Sequence, residues 1–137
     1  MLPIPPSDYY GGCGPYTDLC GFTIDGVALQ GDNESDSITG PPLRDLIPGG
    51  GGNDTIAGLE AQDCLAGEGG SDLVGGGGKD KVVGGRGKDK VKGGSGNDKL
   101  KAADGTKDKV NCGSGKDNAT VDPVDKVKKN CEKVKVK

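Results

Sequence analysis

Apolar side chains recur along this chain at a step that fits neither a helix nor a long strand. Ile38, Ile47, Ile56, Leu65 and Val74 lie nine residues apart, and Val82, Val91, Leu100, Val110, Ala119 and Val127 continue the series at steps of eight to ten. Each stands two residues after an aspartate: Asp36, Asp45, Asp54, Asp63, Asp72, Asp80, Asp89, Asp98, Asp108, Asp117 and Asp125. A three-residue strand with the apolar residue at its centre turns one side chain inward and two outward. The six residues before it carry glycines in the same phase, which suits tight turns that residues with a Cβ adopt reluctantly.

The clearest units read GGGGNDTIA (49–57), GGGGKDKVV (75–83), GGRGKDKVK (84–92), GGSGNDKLK (93–101) and CGSGKDNAT (112–120). GDNESDSIT (31–39), GPPLRDLIP (40–48) and GLEAQDCLA (58–66) are eroded, GEGGSDLV (67–74) is one residue short, and AADGTKDKVN (102–111) carries an insertion. VDPVDKVKK (121–129) keeps little beyond its Asp and Val. Self-similarity at a fixed period predicts a stacked repeat architecture. Two units make one coil of eighteen residues, and stacked coils give two facing parallel sheets with a thin aliphatic seam between them. The expected fold is therefore all-β, a two-sheet parallel β-solenoid with eighteen residues per coil over residues 31–129. Residues 1–30 are expected to form an N-terminal cap and 130–137 a C-terminal capping tail.

Composition sharpens this picture. Of 137 residues, 28 are Gly, 31% are hydrophobic and only four are aromatic, too little for an ordinary core. Such a composition borders on that of disordered chains, so something besides apolar burial must hold an ordered state together. The net charge of −3 hides a split: residues 1–74 hold twelve acids and one base (−11), and residues 75–137 hold nine acids and seventeen bases (+8).

The nonapeptide resembles the RTX (haemolysin-type) calcium-binding repeat, GGxGxDxUx, over about residues 31–129, with eroded copies at both ends. Stacking explains why such a spacing suits calcium. Asp54 falls above Asp72 on one edge and Asp80 above Asp98 on the other, with coils roughly 4.8 Å apart. Carboxylates that close repel unless a cation lies between them. Calcium takes six to eight oxygens at about 2.3–2.6 Å, which two aspartates and turn carbonyls can supply. The resemblance implies the same: a right-handed parallel β-roll with Ca2+ held between the turns of adjacent coils. The candidate ligands are Asp54, Asp72, Asp80, Asp89, Asp98 and Asp117, with the turn positions Gly50, Gly52, Gly76, Gly78, Gly85, Gly87, Gly94 and Gly96. Asp80 with Asp98 ranks first because both turns read as intact, and Asp54 with Asp72 follows. Asp72 with Asp89 and Asp98 with Asp117 absorb a deletion or an insertion. GLEAQD lacks two of its glycines, so sites using Asp63 are expected to be poor, and GDNESD and GPPLRD poorer still.

All four aromatics, Tyr9, Tyr10, Tyr16 and Phe22, precede the repeats and suit a cap over the first coil. Five cysteines suggest an oxidising compartment. Cys112 and Cys131 lie about one coil apart and are expected to bridge; Cys13 and Cys20 could staple the N-terminal segment. That scheme leaves Cys64 unpaired, with exchange for Cys20 as an alternative. No histidine, CxxC pair or zinc-type cluster occurs, and no stretch reads as a signal peptide or a membrane span.

The lysines cluster at outward positions, among them Lys81, Lys90, Lys92, Lys99, Lys101 and Lys109, while Lys79, Lys88 and Lys116 sit inside turns and are expected to lower calcium affinity. The outward lysines serve solubility and edge protection, or else dock an anionic polysaccharide or cell-surface polymer. Without interleaved aromatics, specific nucleic-acid binding is not expected. The leading expectation is a secreted, calcium-binding structural module that folds on binding the ion. Alternatives are an adhesin or matrix component, self-assembling into filaments, and the C-terminal appendage of a secreted enzyme. The carboxylates have a structural use as ligands, and the chain itself is not expected to be an enzyme.

Overall fold

The computed structural model describes residues 2–3 and 29–137. Fourteen strands are defined among them: β1 (Leu2–Pro3), β2 (Leu29–Gln30), β3 (Ser37–Thr39), β4 (Leu46–Pro48), β5 (Thr55–Ala57), β6 (Cys64–Gly69), β7 (Leu73–Gly75), β8 (Lys81–Arg86), β9 (Lys90–Lys92), β10 (Lys99–Lys101), β11 (Lys109–Asn111), β12 (Asn118–Val121), β13 (Lys126–Val127) and β14 (Lys133–Val136). No helix occurs among the described residues.

Odd and even strands separate into two parallel sheets. One runs β13-β11-β9-β7-β5-β3 and the other β14-β12-β10-β8-β6-β4, while β1 and β2 form a short antiparallel pair. This alternation is the topology of a two-sheet β-solenoid, and the coil repeat of eighteen residues appears as the register Ile38↔Ile56↔Val74 in the first sheet and Ile47↔Leu65 in the second. The seam continues as Val91, Val110 and Val127 on one side and as Val82, Leu100 and Ala119 on the other. With Ala102, Cys112 and Val121, the buried members of this seam form a hydrophobic cluster, against which Leu29, Val127 and Cys131 pack.

The deletion and the insertion fall in turns, where they leave the strand register intact. Gly75 does not open a turn: it ends β7 and pairs with Ala57. The turn leading to Asp80 therefore starts at Gly76 and is the shortened one, a correction to its reading as intact. The inserted residue lies in the 102–107 turn, where Asp104 accepts the Gly87 N–H at 3.0 Å.

Two expectations change at the ends. Leu46, Pro48, Cys64 and Ala66, at positions expected to face outward, are buried, so the outer face of β4 and β6 is covered. Their side chains are apolar there, where later coils carry lysine. The segment 130–137, expected as a capping tail, contributes β14, which extends the sheet beyond β12 in parallel register. The expected cap at 1–30 and the pairing of Cys13 and Cys20 lie outside the described residues, apart from the two short strands.

Candidate metal-binding ladders

Each turn ends in an aspartate whose side chain folds inward over the turn and not out into water. Asp45, Asp54, Asp63, Asp72, Asp80, Asp89, Asp98, Asp108 and Asp117 are all at most 2% exposed. Seven of these turns open with a glycine that leaves room for the carboxylate, and the turns of Asp108 and Asp117 open with Ala102 and Cys112. At Gly93 an added Cβ would press on Oδ2 of Asp98 and on the Cys112 carbonyl oxygen of the next coil, so a side chain at this position would force a local shift. The fourth position needs glycine for a second reason: Gly96 has φ of +123°, and a Cβ would overlap the Gly78 carbonyl oxygen of the coil below.

Stacking joins these aspartates into two ladders. In the first, the N–H of Asp36 donates to Oδ1 of Asp54, Asp54 to Asp72, Asp72 to Asp89, Asp89 to Asp108 and Asp108 to Asp125, at 2.8–2.9 Å. In the second, Asp45 donates to Asp63, Asp63 to Asp80, Asp80 to Asp98 and Asp98 to Asp117, at 2.8–3.0 Å. Every sequence-derived ligand carboxylate thus lies on a ladder, and the pairs Asp54/Asp72 and Asp80/Asp98 are adjacent rungs.

One oxygen of each carboxylate is held by the neighbouring coil, and the other is not. Oδ2 of Asp54, Asp63, Asp72, Asp80, Asp89, Asp98, Asp108 and Asp117 lies away from water with no hydrogen-bond partner. A buried anionic oxygen without a donor is expensive. Burial accordingly pushes Asp80 up to about 8, Asp63 and Asp108 to about 7, and Asp72 and Asp98 to about 6, against an ordinary 3.8. The N–H from the neighbouring coil works the other way, and the charges of the flanking rungs add to the rise. Asp54 and Asp89 are raised by burial as well.

The turn positions behave less uniformly than the motif suggests. Gly50, Gly52, Gly78, Gly85, Gly87, Gly94 and Gly96 all have positive φ, whereas Gly76 instead takes the first-glycine place, nearest Oδ2 of Asp80. In the eroded turn of Asp63, Leu59 and Ala61 adopt φ of 70° and 90°, and Asp63 sits on its ladder like any other rung. A rung can thus form without the usual glycines where the neighbouring coils hold the turn. Glu132 was missed altogether: its Oε2 accepts the Asp117 N–H at 2.8 Å, extending the second ladder by one rung.

The cysteines follow the same logic of stacking. Cys112 and Cys131 form a disulfide with Cα atoms 5.1 Å apart, as their spacing predicted. Cys64 is disulfide-bonded too, which corrects the expectation that it is left unpaired.

A hard cation fits these ladders. The donors are oxygens, each of the rungs from Asp54 to Asp117 offers an anionic one that nothing else satisfies, and stacked turns bring their backbone carbonyls close by. No three acidic, cysteine or histidine side chains converge on one point among the described residues. A bound ion would therefore draw on carboxylates of adjacent rungs and complete its shell from backbone oxygens, which suits calcium better than metals that prefer nitrogen or sulfur.

Together, the two sheets and their acidic turn ladders define a β-solenoid whose coils stack through buried aspartates. Residues 44–74 and 74–106 match the family model of the RTX calcium-binding nonapeptide repeat, in four copies. The matched stretch, 44–106, is thus similar to the RTX repeat, which implies a calcium-binding β-roll over this part of the chain. Comparison with curated proteins and with solved structures found no match.

Proposed function

We propose that the protein is an extracellular structural module whose roll forms when Ca2+ enters the two ladders. The observation that carries this reading is the row of buried Oδ2 atoms without partners. Without a cation those oxygens oppose folding; with one they become the interaction that links coil to coil, in a chain whose apolar seam is one residue wide. Calcium binding then supplies folding free energy. Extracellular modules bind at about 10⁻⁴–10⁻³ M, so cytosolic calcium would leave the chain unfolded and export would switch it on. The disulfides are consistent with an oxidising location, and no helix of the described residues is long and apolar enough to cross a membrane. We assign no catalytic role, since the buried carboxylates are accounted for as ligands.

Circular dichroism tests the reading. Millimolar calcium should raise the β signal, and chelator should reverse it; an unchanged spectrum would defeat the proposal.

A second reading has its own support. Lys81 pairs with Lys99 on one sheet, and Lys90, Lys109 and Lys126 align on the other, beside a shallow groove also lined by Lys92 and Lys128. Such columns suit an anionic polymer, such as an acidic polysaccharide. Retention on that polymer should fall with salt and with Lys90→Gln and Lys109→Gln together; retention indifferent to salt would remove this reading.

A further inference from the structure

The two ladders end differently. In the first, the terminal carboxylate is fully committed: Asp125 takes the Asp108 N–H on Oδ1 at 2.9 Å and the Asp122 N–H on Oδ2 at 2.7 Å. That is a cap. In the second, Asp117 is followed by Glu132, which takes the Asp117 N–H on Oε2 alone. Asp117 is 1% exposed, its Oδ1 holds the Asp98 N–H at 2.8 Å, and its Oδ2 is buried without a partner. Oδ2 of Asp117, the rung before Glu132, therefore has the same unmet need as that of the rungs before it.

Glu132 lies outside the residues that match the repeat family, fifteen positions after Asp117 where a coil usually spends seventeen to nineteen. The short coil explains the residue type: a glutamate has one more methylene than an aspartate with which to reach the rung. Two constraints hold it there. Cys131, its neighbour, is tied by the disulfide to Cys112, which occupies the first-glycine place of the Asp117 turn. On its other side Lys133 begins β14, in register with Asn118. A cavity of about 290 Å³ opens between the two coils, lined by Lys116, Asp117, Asn118, Glu132 and Lys133.

We propose that Asp117 and Glu132 form a terminal calcium site on the second ladder, built from a non-repeat glutamate held in place by the Cys112–Cys131 disulfide. It rests on the calcium reading above. Lys116 and Lys133 line the same cavity, and Glu132 is exposed to solvent, so this site is the weakest of its ladder and fills last.

Equilibrium dialysis with radioactive calcium on the full chain tests this, using wild type, Glu132→Gln and Lys133→Gln. The glutamine keeps an oxygen for the Asp117 N–H and removes only the charge. We expect E132Q to lose the last-filling ion, or to bind it at least tenfold more weakly, with the tighter sites unchanged, and K133Q to bind that ion several-fold more tightly. If E132Q binds the same number of ions with the same affinities, Glu132 is only a cap and this inference is overturned, while the calcium reading stands. If wild type binds no calcium, both fail. Should E132Q not gain β signal in saturating calcium, K133Q decides: a tighter last ion supports the site, and an unchanged one overturns it.

Discussion

A carboxylate sealed from water and lacking a donor on one oxygen accepts a proton as readily as a cation, so the ladder aspartates couple the fold to pH. Asp63, Asp72, Asp80, Asp98 and Asp108 titrate at about 6 to 8 in the roll and near 3.8 when ordinary. Between those values the metal-free roll binds more protons than the unfolded chain. The stability these groups contribute is therefore complete below about 3.8 and is lost as pH rises through 6 to 8. Metal-free protein should gain β signal on acidification from pH 8 to pH 5, and calcium added near pH 7 in weak buffer should release protons. A metal-free chain better folded at pH 8 than at pH 5 would contradict the burial argument. The same oxygens allow a sign-changing test at one rung. Asp98→Asn keeps an acceptor for the Asp80 N–H and removes the charge. Without calcium it should make the roll easier to form; with calcium it should raise the calcium midpoint about tenfold, on the order of 1.4 kcal/mol. Both limbs are read from one set of dichroism titrations.

At the scale of the repeat unit, strand and turn divide the work. The strand supplies one apolar residue to the seam, and the turn supplies one carboxylate to a ladder. The turn is the demanding part. Ala61 at φ of 90° pays about 1–2 kcal/mol for a conformation glycine adopts freely. Ala61→Gly should therefore stabilise the calcium-loaded roll by about 0.5–1 kcal/mol, after allowing for glycine's greater freedom when unfolded. Gly96→Ala should cost about 2 kcal/mol or more, because strain at φ of +123° adds to overlap with the Gly78 carbonyl. Denaturant midpoints in saturating calcium check both; equal and small effects would mean that the turns tolerate more than their geometry implies. The turn of Asp63 also shows that an eroded turn can still place its rung. A motif scores residues one at a time, whereas a rung is held by the coils above and below it.

The whole molecule is a stack in which each coil is held by its neighbours, so its ends decide how far order extends. The last strand is exposed along its length, with Val134 at 44% and Val136 at 57%. The disulfide from Cys112 to Cys131 closes a loop across this final coil. Replacing both cysteines with serine should destabilise the calcium-bound roll by about 3 kcal/mol by the loop-entropy estimate for a closure of this size. A thermal melt in saturating calcium measures it, and an unchanged midpoint would show that the last coil is held by other means.

The period of nine residues, read with its aspartates and aliphatic residues, was enough to define two sheets, coils of eighteen, the inward seam and the pairing of Asp54 with Asp72 and Asp80 with Asp98. It sufficed because a repeat this short leaves one way to stack a strand of three residues and bury its single apolar side chain. Other features needed the folded coordinates. Gly75 belongs to a strand, Asp63 keeps its rung without the usual glycines, Cys64 is bonded, and Glu132 replaces an aspartate at an irregular spacing. In each case the deciding contact comes from a residue fifteen or more positions away or from a neighbouring coil, so no local pattern records it. Which oxygens go unsatisfied is likewise a property of burial, and burial exists only once the coils have stacked.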